Sequence, residues 1–357
     1  MAMRGACGQR HPELPGLLDA VADANNTIVA TTADWRYRLY VLSWACRLRR
    51  LGVTCFVVFC LDKRLFQFLQ VRSINSFHMD ESGAGSRMLD THERNALFGS
   101  VGYTSIVQSK LRHQLSVVEC GHSLIFSDVD VAWIRDVRPA LHAYSAAYNS
   151  DLLFQANYPQ REVNSGFYFA RGGPKSQSVL QLTFDAATSE PAQRATGLPR
   201  ARYGDDQSSL NFVLSCGDPA TGRRGQGAAE AFGFAAGTFT RAQAIAEEPR
   251  VRSIKCSLTE LRVRYGVLSP TLFRNGHADT KALPRPERAL ILHPNFTPPG
   301  SDSNGVSLKQ KRLNNTIYGR LWCDTLPTAP PGETFHPVIR RRAESLRDVA
   351  STTGSRE

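Results

Sequence analysis

SLIFSDVDVAWIRD, Ser123 to Asp136, sets a short apolar run directly before Asp-x-Asp. Such a run between polar neighbours is read as a buried strand. Two acids at its end would stand at the carboxyl edge of a parallel sheet, where open α/β folds bind ligands. If the chain stays extended, Asp128 and Asp130 share one face about 6–7 Å apart by Cα, within reach of one divalent cation. Carboxylate oxygens suit Mg²⁺ or Mn²⁺, ions that also take diphosphate oxygens and offset charge on a departing nucleoside diphosphate. A bare Asp-x-Asp is common and often only a turn with solvated acids. The preceding strand and the apolar neighbours raise the metal reading here to equal standing with that one.

The sequence on either side supports a parallel α/β architecture. Thr27–Ala33 (TIVATTA) is predicted as a buried strand, and Asp34 caps a helical stretch to Arg50 with Trp35, Leu39, Leu42 and Cys46 on one face. Gly52 ends that helix. Cys55–Leu61 is a second apolar strand, stopped by Asp62 and followed by a helix to about Val71. Strand, helix, strand, helix within about 45 residues is the pattern of an open α/β sheet. Further expectations are a mobile loop over 79–100, a helix over Ser105–Cys120, strands at Asp151–Ala156 and Gly166–Ala170, a helix over 175–188, another over Asp205–Ser215, and a late strand at Ala289–Leu292. Residues 1–24 read as irregular, 25–323 as the domain, 218–250 as a variable insertion and 324–357 as a disordered tail.

Other polar residues fall at the ends of these elements. Asn164–Ser165–Gly166 forms a polar turn leading into an aromatic strand; Asn and Ser suit sugar hydroxyls, and Gly permits close backbone approach. In YGDDQSSLN, Asp205 or Asp206 caps a helix. The functional alternative puts Asp206 and Gln207 at the donor sugar or near charge developing on its anomeric carbon. His293 ends the apolar ILH run, where its imidazole can reach the same cation, and Lys309 and Lys311 suit diphosphate oxygens.

A length of 357 residues with 42% hydrophobic side chains allows one large α/β domain or two small ones. The net charge of +11 suits an anionic partner, yet the basic residues are scattered and form no aromatic-interleaved nucleic-acid motif. A nucleotide sugar or an acidic polysaccharide fits better than nucleic acid. None of the eight cysteines makes C-x-x-C spacing. Cys46, Cys55, Cys60 and Cys120 read as core thiols, whereas Cys216, Cys256 and Cys323 are candidates for pairing. Sequons at Asn25, Asn295 and Asn314 suit a secretory-pathway protein. No run approaches the roughly 20 apolar residues of a membrane span, and Met1–Leu18 lacks the apolar centre of a signal peptide. The expectation is therefore a chain soluble where it is made, or one whose anchor lies outside this sequence.

In order along the chain, TIVATTADW, LRRLGV, VVFCLD, SDVDVAWIRD, NSGFYFARG, DDQSSLN, LFRNG and ILHPNF resemble the nucleotide-diphospho-sugar transferase family of plants and algae, glycosyltransferase family 77. That family includes extensin arabinosyltransferases and rhamnogalacturonan-II xylosyltransferases. The resemblance implies an α/β, GT-A type nucleotide-sugar-binding fold with a mostly parallel central sheet. It further implies a metal-dependent retaining glycosyltransferase with Mn²⁺ (or Mg²⁺), a UDP-sugar donor, a glycan or hydroxyproline-rich glycoprotein acceptor, and a Golgi-lumen location. Carried over residue by residue, it makes Asp128, Asp130 and His293 the metal set and puts Asp206 and Gln207 at the donor sugar. Thr31 and Thr32 fall at the nucleotide-facing turn, and Lys110 matches a helix lysine directed toward the donor. The rival readings are a glycan-binding relative without catalysis and a sugar-nucleotide nucleotidyltransferase; the absence of glycine in TTADWRYR counts against the second.

Overall fold

The structure, a computed structural model, describes residues 7, 11–79, 101–157, 163–195, 205–223, 249–275 and 288–293. Its helices are α1 (Leu14–Val21), α2 (Arg38–Arg50), α3 (Lys63–Gln70), α4 (Val101–Glu119), α5 (Arg138–Ala147), α6 (Pro174–Thr188), α7 (Glu190–Ala195) and α8 (Asp206–Leu214). Its strands are β1 (Thr27–Ala33), β2 (Phe56–Cys60), β3 (Ser76–His78), β4 (Ser123–Ser127), β5 (Ala132–Trp133), β6 (Leu152–Ala156), β7 (Val163–Ala170), β8 (Arg250–Lys255), β9 (Arg262–Leu268), β10 (Phe273–Asn275) and β11 (Ile291–His293). Eight strands form one sheet in the order β3-β2-β1-β4-β7-β6-β9-β8, and three form a second in the order β10-β11-β5.

Alternation along the strands sorts the core onto two faces of the large sheet. Ile28 and Ala30 of β1 pack with Leu17 of α1, Val118 of α4, Leu180 of α6 and Phe212 of α8. Val29 and Ala33 point the other way, toward Val41 and Trp44 of α2, Leu65 of α3 and Leu141 of α5. The β1, β2, β3 and β4 strands run parallel, so the carboxyl ends of β1, β2 and β4 share one edge. The sheet is mixed: β7 pairs antiparallel with both β4 and β6, and β8 pairs antiparallel with β9.

Acid caps hold this edge together. Asp62 accepts from Leu65 N at 2.7 Å to start α3 and from Trp35 N at 2.6 Å, tying the turn after β1 to the helix after β2. Asp34 caps as expected, but what it caps is a 3₁₀ turn, Trp35–Tyr37. The α-helix proper begins at Arg38, which changes its phase. The buried positions include Tyr40, Val41, Trp44, Ala45, Cys46 and Leu48, so Cys46 is buried as expected whereas Leu39 is exposed, and the predicted face is corrected there.

Three other expectations are corrected. Residues 14–21 of the supposedly irregular start are helical, because Leu14, Leu17 and Leu18 find a core to cover. Cys120 is bonded to Cys7 and Cys46 also lies in a disulfide, so neither is a free thiol; Cys55 and Cys60 are, and Cys216 pairs with Cys256. Strands β8 and β9 lie where no strand was expected. The 80–100 loop, most of the 218–250 insertion, Lys309, Lys311 and the 324–357 tail lie outside the described residues. None of the described helices is long and apolar enough to cross a membrane.

Candidate active site and metal centre

The strand β4 ends at Ser127, and the chain then turns: Val131 N bonds Asp128 O at 3.0 Å. The extended geometry expected for Asp-x-Asp is thus replaced by a reverse turn that leads into β5 of the small sheet. Ser127 pins this turn. Its hydroxyl receives the indole N–H of Trp44 at 3.2 Å and of Trp133 at 3.0 Å, and donates to Asp128 O at 3.3 Å. Arg47 adds two bonds to the carbonyls of Trp133 and Ile134, at 2.6 and 3.0 Å.

The small sheet brings in the histidine. In β11, antiparallel to β5, His293 is buried, with Nε2 3.5 Å from Asp130 Oδ1. Asp128, Asp130 and His293 each offer a ligand atom, and these atoms lie within 4.8 Å of one another. Two carboxylate oxygens and one imidazole nitrogen form a donor set for a divalent cation, with Mn²⁺ and Mg²⁺ both compatible in charge and hardness. Backbone also approaches the centre closely. Between Phe154 and Gln155 the β6–β7 pairing jumps from Tyr168 to Asn164, so Ser165–Phe167 bulge out of register. The bulge carries Gly166 against the centre, where its carbonyl accepts Asp128 N at 2.7 Å.

A second polar group adjoins the first. Lys110 of α4 lies 2.9 Å from Asp128 Oδ1 and 2.8 Å from Asp206 Oδ2. Asp205, not Asp206, caps α8, accepting from Ser208 N at 2.9 Å, which leaves the Asp206 carboxylate to face Lys110. Burial alone would raise the Asp206 carboxyl, but Lys110, with hydrogen bonds from Lys110 and Ser165, holds it below the usual range. Burial likewise raises Asp128, against the pull of Lys110 and with the push of Asp130. Burial disfavours the Lys110 ammonium, yet the two carboxylates hold its pKa above the ordinary lysine value. Asp128, Asp130 and Asp206 outnumber the single ammonium of Lys110, an arrangement that suits a bound cation.

Lys110→Met is therefore expected to cost about 3 kcal/mol at neutral pH, since it leaves the buried Asp206 carboxylate and the half-buried Asp128 without their counter-charge. In the wild type the depressed Asp206 carboxyl adds stability above its unfolded pKa, lost as pH falls through the folded value. Without Lys110 burial dominates and the folded carboxyl rises, so the deficit grows as pH increases from the unfolded value through the folded one. Urea unfolding between pH 3 and 8 checks this; a deficit of constant size would show that Lys110 acts by packing alone.

Asn164 Nδ2 donates to Gln207 Oε1 at 3.3 Å, while Asn164 Oδ1 accepts Gly166 N at 2.7 Å. The structure thus gathers Lys110, Asp128, Asp130, Asn164, Ser165, Asp206, Gln207 and His293 around one edge. Thr31 and Thr32, toward the end of β1, differ in their contacts. Thr32 bonds His113 Nδ1 at 3.2 Å, and burial pushes that imidazole down to about 3, keeping it neutral. Thr31 is fully buried with no hydrogen-bond partner for its hydroxyl, so it does not present that group to a nucleotide. Sequence reasoning missed Gln155, whose Oε1 lies 2.8 Å from His293 Nδ1. A Gln at the end of an apolar strand was the available signal.

The family model described as nucleotide-diphospho-sugar transferase matches residues 51–304. The chain is 35% identical over 184 residues to the β-arabinofuranosyltransferase RAY1 of Arabidopsis thaliana, covering 50% of this chain and 33% of that protein. It is 20% identical over 249 residues to a UDP-galactose:fucoside α-3-galactosyltransferase of Dictyostelium discoideum, covering 62% and 32%. It therefore spans about a third of the length of these two curated relatives. Among solved structures, the glycosyltransferase GlyE of Streptococcus pneumoniae gives a TM-score of 0.44 at 11% identity, over 91% of this chain and 64% of that one. An active-site mutant of LgtC gives 0.37 at 10% identity, over 84% and 97%. Since the family match takes in the Asp-x-Asp turn, the bulged strand and His293 and covers well over half of the sequence, the chain belongs to the nucleotide-diphospho-sugar transferase family.

Proposed function

We propose that this protein is a retaining glycosyltransferase that moves a sugar from a UDP-sugar to a hydroxyl of a glycan or glycoprotein. The observation that carries this reading is the convergence of Asp128, Asp130 and His293 within a chain of this family. In it these three residues would hold Mn²⁺ or Mg²⁺, which would supply positive charge to offset that of a departing diphosphate. Asn164, Ser165, Asp206 and Gln207 face the donor sugar, with Lys110 orienting the Asp206 carboxylate. The acceptor hydroxyl approaches from the leaving-group side and gives its proton to a diphosphate oxygen. Thr32, Lys110 and Lys309 are assigned to the nucleotide-diphosphate. The names of the two curated relatives favour a pentofuranose or galactose as the sugar. Disulfides Cys7–Cys120 and Cys216–Cys256 support an oxidising compartment, consistent with the Golgi lumen.

The test is UDP release from a panel of UDP-pentoses and UDP-hexoses with Mn²⁺, alongside EDTA. Turnover of one donor that EDTA abolishes supports the proposal. Binding of glycans with neither turnover nor donor binding would instead assign the chain to glycan binding without catalysis.

A further inference from the structure

Gln155 is fully buried at the point where β6 loses register with β7. Its Nε2 donates to the carbonyls of Phe273 and Arg274, at 3.3 and 3.0 Å, both on β10. Carbonyl oxygens only accept, so the amide nitrogen must face them and the amide oxygen must face away. That oxygen lies 2.8 Å from Nδ1 of His293. An amide oxygen only accepts as well, so the proton of the neutral ring is on Nδ1 and the lone pair is on Nε2. Nε2 is the atom 3.5 Å from Asp130 Oδ1, on the cation side of the ring.

From this chain of donors and acceptors we propose that Gln155 is the positioning residue of the metal centre. It sets the tautomer in which His293 can ligate and anchors the small sheet to the large one, with Asn275 Nδ2 bonded to Ala156 O at 3.1 Å beside it. The proposal rests on the metal reading above. It makes Gln155 an outer partner of the kind that metal-ligating histidines require, whose loss costs about 10- to 100-fold in metal affinity.

Two variants separate tautomer control from simple packing. Gln155→Leu keeps the bulk and removes the acceptor. Gln155→Glu keeps an acceptor for Nδ1–H but sets an oxygen against the Phe273 and Arg274 carbonyls, so it loses more thermal stability. ¹⁵N–¹H correlation spectra of the metal-free proteins report the His293 tautomer, and calorimetric titration with Mn²⁺ in the presence of UDP reports affinity. The expected result is an Nδ1–H ring in the wild type and in Gln155→Glu, with near-native affinity in both. Gln155→Leu is expected to shift toward Nε2–H and to bind Mn²⁺ about 10- to 100-fold more weakly. An Nε2–H ring in the wild type, Gln155→Leu binding Mn²⁺ as the wild type does, or affinity that merely follows thermal stability would overturn the proposal. If the wild type binds no Mn²⁺, the Asp-Asp-His assignment itself fails, and the role of Gln155 with it.

Discussion

Asp130→Ala is expected to reduce Mn²⁺-dependent UDP release by about 10²- to 10³-fold while leaving the fold as stable as the wild type or more so. The activity term follows from losing one of three ligands to the cation that offsets leaving-group charge, an interaction worth several kcal/mol in a transition state. The stability term comes from the charge balance. Asp130 is buried beside Asp128, and its charge, after burial itself, helps raise the Asp128 carboxyl. Lys110 contacts Asp128 and Asp206, whereas Asp130 faces His293. Removing Asp130 thus relieves repulsion at Asp128 while Lys110 keeps both of its carboxylate partners. Thermal unfolding in EDTA and UDP release with Mn²⁺ are the paired measurements. Asp136, bonded to Arg138 at 2.8 Å, serves as the control acid, since Asp136→Ala should keep turnover. Full turnover of Asp130→Ala in Mn²⁺ would remove Asp130 from the metal set.

Much of this centre was legible in the sequence because short-range rules place it. Asp34, Asp62 and Asp205 each precede a helical turn and each caps one. The apolar runs of β1, β2 and β4 are buried strands, and their parallel pairing sets Asp128 at the shared edge. Other features depend on contacts distant in sequence. Gln155 matters only once β10, 118 residues away, supplies carbonyls to its amide. The turn at Asp128–Val131 depends on two tryptophans meeting one serine hydroxyl, which no local pattern announces. Cys46 and Cys120 have apolar neighbours, so their surroundings resemble those of core thiols and conceal the bonds. The edge strand β8 carries Arg250, Arg252 and Lys255, charges that blunt an open edge and also disguise a strand as a loop.

Gly166→Ala should damage the metal centre, although the sequence pointed to close backbone approach at this glycine only in connection with the sugar. A Cβ at Gly166 would lie 2.5 Å from Asp128 Oδ2 and 2.5 Å from Cε1 of His293. The backbone itself tolerates alanine there, since Gly166 has no positive φ, so the conflict is purely steric. Neither neighbour yields without consequence. Asp128 is tied to Gly166 O through its backbone N–H, and His293 is tied to Gln155. One methyl group therefore displaces two ligands at once. Mn²⁺ affinity is expected to fall by about 100-fold or more, at least the upper end of the cost of losing an outer partner, with about 1–3 kcal/mol of stability lost to overpacking. Gly16→Ala provides the contrast: a Cβ in α1 meets nothing within 4 Å, so that change should leave metal binding intact and stabilise the helix by up to about 1 kcal/mol. Calorimetric Mn²⁺ titration with UDP and thermal unfolding of both variants decide it. Native affinity in Gly166→Ala would mean the centre is wide enough to accept a side chain on the bulge, and that the glycine serves the strand rather than the metal.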